Sequence, residues 1–129
     1  MIPKILLAVA AGGALGALSR FGLTVWVSRW APGAFPWATF VVNVIGSLFL
    51  GMVLGLMDSA APVSLWRAFL TVGLAGAFTT FSAFSYESVV LIQDRAYVRA
   101  ALYMSGSVVV AISALLLGLA LAGLVVQRS

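Results

Sequence analysis

Four predominantly apolar segments, each long enough to cross a bilayer and parted by joints of a few residues, constrain this chain more than any other feature. A span needs about 20 such residues, and the segments fall at Lys4 to Arg29, Trp37 to Met57, Leu65 to Ile92 and Tyr97 to Val126. The joints are Trp30-Ala31-Pro32-Gly33-Ala34-Phe35-Pro36, then Asp58 to Ser64 around Pro62, then Gln93-Asp94-Arg95. Trp26, Trp30, Trp37, Trp66, Tyr86 and Tyr97 sit near span ends, where amphipathic rings favour the headgroup level. With 64% hydrophobic and 8% charged residues, the chain has too little polar surface for a soluble domain. Lys4 and the apolar run behind it have the look of a signal peptide. The apolar pattern resumes after Arg20 and Phe21, however, through Leu23, Val25, Trp26 and Val27, so the segment is read as a span.

What is missing narrows the function. There is no cysteine and no histidine, which removes disulfides, thiolate metal sites and imidazole chemistry, and the chain is not read as an enzyme. The net charge of +4 comes from Lys4 and six arginines against Asp58, Glu87 and Asp94. No basic run or arginine-aromatic interleaving suggests nucleic acid, so the arginines are read as interface anchors on a lipid bilayer.

The third segment is the unusual one. Gly73 to Glu87 reads GLAGAFTTFSAFSYE, with two glycines followed by Thr79, Thr80, Ser82 and Ser85, a pattern that a lipid-facing helix has no reason to carry. Irregular backbone at membrane depth survives only where it is buried in protein or lines a wet cavity, so a helix broken there points to an ion or substrate site. The other reading is a helix whose small residues let a neighbour pack closely. If the helix is broken, the carbonyls ending its first half suit a monovalent cation, and the amides starting its second half favour an anion.

Polar residues recur at steps of four on the first two spans. Gly12, Gly16, Arg20, Thr24 and Ser28 make one slowly winding stripe. Arg20 stands either at the mouth of an aqueous vestibule or snorkelling toward headgroups. The second span repeats the design with Thr39, Asn43, Ser47, Gly51 and Gly55. An amide such as Asn43 needs partners in an apolar span, on another helix or on a bound ligand. Phe81 and Phe84, three apart, share a helix face. Such a pair is usually packing, yet the positive ring edges can hold a small anion without the tight grip of a lysine. On the fourth span Tyr103 and Ser107, four apart, offer hydroxyl donors, whereas Ser105 and Ser113 are expected to bond to the carbonyl one turn back.

Charge also bears on topology. Lys4, Arg67 and Arg128 lie on one side of the membrane and Arg29, Arg95 and Arg99 on the other, an even count. Basic residues in short loops normally set orientation, so the chain is expected to insert both ways and to form an antiparallel homodimer.

These residues resemble the Fluc (CrcB) family of fluoride channels over essentially the whole chain. The matching segments are Gly12-Gly13-Ala14-Leu15-Gly16-Ala17-Leu18-Ser19-Arg20, Thr39-Phe40-Val41-Val42-Asn43-Val44-Ile45-Gly46-Ser47 and Gly73 to Ser85. The fold class the resemblance implies is an all-α membrane protein with four transmembrane helices per subunit. Its third helix is broken at mid-membrane, and two subunits form an antiparallel dual-topology homodimer in the bacterial inner (plasma) membrane. It implies two fluoride pores along the subunit interface. The site residues carried over are Asn43, Phe81, Phe84, Tyr103 and Ser107, with the hydroxyls of Thr80 and Ser82 in the break and Arg20 in the vestibule. It also implies a structural sodium ion at the dimer centre, held by backbone carbonyls at the positions of Gly76 and Thr79. The sequence departs from the family pattern at Ala75, where cysteine is common, at Ala77, where glycine is common, and at Ala83, where threonine is common. Ala77 lacks the freedom of glycine beside the expected ion site.

Two rival readings are kept. A small multidrug-type exporter is also a four-span, dual-topology protein, but that resemblance rests on a membrane-embedded glutamate in the first span, and this one has none. A packing subunit, in which every polar stripe is interhelical glue, conducts nothing.

Overall fold

A computed structural model describes residues 1–57 and 64–127, all helices and short connections with no strand among them. The second joint, apart from Ser64, and the basic residue Arg128 lie outside the described residues.

Helix α1 (Ile2–Trp30) takes Pro3 in its first turn, where a missing N–H costs nothing, and stops two residues short of Pro32. Gly33 then adopts a φ of 147°, which only glycine enters freely. Helix α2 (Trp37–Leu56) follows, about 30 Å long at the usual rise. The third span, Leu65–Gln93, is composite. A turn of α-helix, α3 (Leu65–Arg67), is capped by Ser64, whose hydroxyl accepts from the Arg67 N–H at 3.1 Å. It passes into a π-helical stretch (Ala68–Ala75) and a second short turn, α4 (Gly76–Phe78). Thr79 and Thr80 are extended, and α5 (Phe81–Gln93) resumes the path. A turn with Arg95 at φ 57° leads into α6 (Tyr97–Val126). All four spans are long and apolar enough to cross a bilayer, with bounds within two residues of those read from sequence.

Two tight backbone contacts hold the bundle. Helix α2 packs most extensively on α6, and a Cβ built on Gly51 would strike the Leu115 carbonyl while one on Gly118 would strike that of Leu48. Helix α1 lies against the π stretch in the same manner, with Gly12 facing the Phe69 carbonyl and Gly16 that of Leu74. Lipid tails are as apolar as leucine, so helices in a bilayer gain most from close backbone approach of this kind. Few side chains are buried within the described chain; Val42 and Tyr103 are the largest enclosed completely. The apolar residues of the outer faces, such as Leu6, Phe21, Val109 and Leu116, are left for lipid or for another chain.

Gly73 and Gly76 are both helical, and the break falls at Thr79 and Thr80. Gly73 serves close packing, since a Cβ there would sit 2.8 Å from the Val9 carbonyl oxygen and 2.9 Å from Gly12 Cα.

Candidate functional site

The extended pair Thr79 (φ −78°, ψ 156°) and Thr80 (φ −145°, ψ 112°) interrupts the helical hydrogen-bond ladder inside the span. Each freed polar group needs a substitute partner there. Asn43 supplies two at once. Its Oδ1 accepts from the Thr80 N–H at 2.7 Å and its Nδ2 donates to the Thr80 carbonyl at 3.1 Å, so the amide pairs with this residue as a neighbouring strand would. The Thr80 hydroxyl caps α5 by accepting from the Ala83 N–H at 3.2 Å and lies 3.2 Å from the Ser82 hydroxyl. The Thr79 N–H and hydroxyl both donate to the Ala75 carbonyl, each at 3.1 Å. The Arg20 Nε–H donates to the Ala77 carbonyl at 3.1 Å, tying α1 to the last turn before the break. Three residues beyond Asn43, Gly46 lets α2 approach, because a Cβ there would collide with the Thr79 methyl group.

Two cavities meet at this break. The first, about 360 Å³, is lined by Asn43, Thr80, Phe81, Phe84 and Ser107 among others. The Phe81 and Phe84 rings lie 5.5 Å apart at 38°, and Phe81 is 78% exposed on the surface of the chain. Ser107 is 5% exposed, and its hydroxyl has no hydrogen-bond partner among the described residues. Buried hydroxyls are normally paired, and this one faces the cavity. The second cavity, about 300 Å³, is lined by Arg20, Thr24, Thr39, Thr80 and Glu87. Thr80 faces both.

Scanned against known families, residues 7–119 match the model for CrcB-like protein, Camphor Resistance (CrcB). The chain belongs to this family. It is 44% identical over 119 residues to a protein of Rhodospirillum centenum, a match covering 92% of this chain and 94% of that one. It is 43% identical over 120 residues to one of Thermus thermophilus, covering 93% and 94%. A protein of Phenylobacterium zucineum is 44% identical over 119 residues, covering 91% and 94%. All three relatives carry the name Fluoride-specific ion channel FluC.

In this CrcB-family chain the residues read from sequence are placed unequally. Asn43, Thr80, Phe81, Phe84 and Ser107 converge on one cavity, and Arg20 lines the other. Ser82 is exposed beside Thr80. Tyr103 stands behind Phe84, with ring centroids 5.3 Å apart, and its hydroxyl donates to Glu87 Oε2 at 2.6 Å. Gly76 is exposed, and a Cβ there would meet nothing nearer than the Thr71 carbonyl oxygen at 3.6 Å. Ser105 and Ser113 bond back to Ala101 and Val109, at 2.6 Å and 2.7 Å, as expected.

Sequence reasoning did not find the polar network behind the phenylalanines. Glu87 Oε1 accepts from the Thr39 hydroxyl at 2.8 Å while Oε2 takes Tyr103, so one carboxylate joins α2, α5 and α6. An acidic side chain in an apolar span with hydroxyls on the two neighbouring spans was the available signal, since such a carboxylate needs donors.

Proposed function

We propose that this chain is a fluoride-selective passive channel that exports cytoplasmic fluoride across the bacterial plasma membrane. The observation that carries the reading is the Ser107 hydroxyl, buried without a partner among the described residues in a cavity shared with two phenylalanine rings and the Thr80 cap. Fluoride is small and strongly hydrated, so a path for it must replace water with directed donors. The Ser107 hydroxyl has a proton to give, and the edges of Phe81 and Phe84 add weak positive potential that does not trap the ion. Thr80 and Ser82 hold further hydroxyls at the break, and Tyr103 sets the wall behind Phe84. Asn43 contributes by fixing the Thr80 backbone through both ends of its amide. Arg20 raises the local anion concentration in the neighbouring cavity while its Nε stays engaged with Ala77.

The working unit in this proposal is an antiparallel homodimer with a pore on each side of its interface. Phe81, a cavity-lining ring exposed over most of its surface, gains its missing wall from the second copy. The even distribution of basic residues supports insertion in both orientations. Gly76 and Thr79 suit the structural sodium ion proposed for the dimer centre. Both are at the end of the first half-helix, where carbonyls lack intrahelical donors, and Gly76 presents an open, exposed side. Carbonyl oxygens are the hard donors such a cation takes, and no cluster of three or more acidic, histidine or cysteine side chains competes for it among the described residues. The ion would neutralise carbonyl dipoles where the two breaks meet.

A proton-coupled exporter has less support. Helix α1 contains no carboxylate, and the relatives carry channel names. Purified protein in liposomes tests the reading: fluoride efflux that needs no proton gradient supports it. Proton-coupled movement of organic cations supports the exporter, and silence the packing subunit.

A further inference from the structure

We propose that Phe35, in the loop between α1 and α2, is a positioning residue for the pore, acting through Tyr103. The loop residue reaches from the end of the bundle to the ring that backs Phe84. Its own ring meets Tyr103 edge to face, with centroids 5.6 Å apart and planes at 87°. On its other side it packs against Trp37 at 4.5 Å and Phe40 at 6.2 Å, both at the start of α2. Phe35 thus couples the first turn of α2 to the middle of the pore wall.

Tyr103 has no exposed surface and is held in three ways. Glu87 takes its hydroxyl and Phe84 lies against its ring, but both of these are on α5, which adjoins α6 through one short turn. Phe35 adds a hold from the loop that leads into α2, beside the Thr39–Glu87 hydrogen bond and the close packing of α2 on α6. The Phe35 carbonyl accepts from the Trp37 N–H at 2.8 Å, and Pro36, with φ fixed near −76°, stands between them. The ring is therefore carried on a stiff arm. An aromatic edge is needed rather than bulk alone, since the perpendicular arrangement places the positive rim of one ring against the negative face of the other. Leucine or methionine at this position fills the space and lacks that preference.

The proposal rests on the channel reading for its consequence, and its test separates the two. Protein labelled with 3-fluorotyrosine gives one fluorine resonance each for Tyr86, Tyr97 and Tyr103, and Tyr103→Phe assigns the third. Phe35→Leu, with Phe35→Met as a second variant should the first fail to assemble, is compared with Phe35→Tyr in liposomes and in detergent. In the ring-deficient variant the Tyr103 resonance is expected to move while Tyr86 and Tyr97 hold still. Fluoride efflux is expected to fall about fivefold, the factor corresponding to loss of an edge-to-face pair of ordinary strength, with an unchanged elution volume. Phe35→Tyr keeps the ring, so it adds one resonance of its own and is expected to leave the Tyr103 resonance and efflux near those of the wild type. An unmoved Tyr103 resonance overturns the proposal, whatever the efflux does. A moved resonance with undiminished efflux overturns it too, since position would then not govern conduction. If the wild-type protein passes no fluoride, the channel reading fails, and the resonance alone decides whether Phe35 positions Tyr103.

Discussion

Replacing Asn43 with alanine separates a residue that holds the broken helix from one that only touches the ion. The wild-type amide makes two hydrogen bonds to one backbone unit, at 2.7 Å and 3.1 Å. Alanine leaves the Thr80 N–H and carbonyl without partners, and a buried orphan of this kind costs about 1–3 kcal/mol. Thr80 borders two cavities, so water recovers part of that loss. The expected destabilisation is therefore about 2–3 kcal/mol, at the lower end of two full penalties. Asn43→Asp keeps the acceptor for the N–H but sets a carboxylate oxygen against the Thr80 carbonyl, and it should be worse than Asn43→Ser. Unfolding by SDS titration in mixed micelles gives the free energy, and fluoride efflux from liposomes gives the conduction. Both are expected to fall together, with stability ordered wild type, Ser, Ala, Asp. An Asn43→Ala protein within about 0.5 kcal/mol of wild type, the range of an inconsequential substitution, with its efflux abolished would refute the clamp and put Asn43 on the ion.

Five further substitutions probe the rest of the site and the packing behind it. Phe81→Ile and Phe84→Ile each remove ring edges and should cut efflux about fivefold or more; of the two, only Phe84→Ile should also lower the stability of the chain, because Phe84 and not Phe81 packs on Tyr103. Gly16→Ala drives a methyl group into the Leu74 carbonyl and should cost about 1–3 kcal/mol by the same titration, whereas Gly13→Ala, with nothing within 4 Å of the new carbon, should be neutral or stabilising by up to about 1 kcal/mol. Glu87→Gln leaves one acceptor oxygen for two hydroxyl donors, Thr39 and Tyr103, and should lower stability by about 1–2 kcal/mol; an unchanged midpoint would mean that the network is not holding the three helices together.

Hydropathy alone placed the four spans, because a bilayer of fixed thickness leaves little choice of length. The break was legible as a region, Gly73 to Glu87, but its position within that region was not. Glycine suits both a bend and a close helix contact, and only the packing of α1 distinguishes the two uses: Gly12 and Gly16 press on the π stretch, so the neighbouring glycines stay helical. The threonines terminate the helix because Asn43, 37 residues away in sequence, is there to take up the Thr80 backbone. The π-helical stretch left no mark in composition, since its apolar residues are equally at home in an α-helix. Convergence of Asn43, Phe81, Phe84 and Ser107 was readable from helix faces and family resemblance together. The part played by Phe35 was not, because loop residues have no periodicity to show where their rings point.

Efflux of fluoride and chloride, measured side by side from liposomes holding the wild-type protein at equal ionic strength and with no pH difference, tests the central claim most directly. Rapid loss of fluoride with chloride retained is the expected result. Equal loss of both ions, or retention of both by protein shown to be inserted, would contradict a selective anion path built on the break in the third helix.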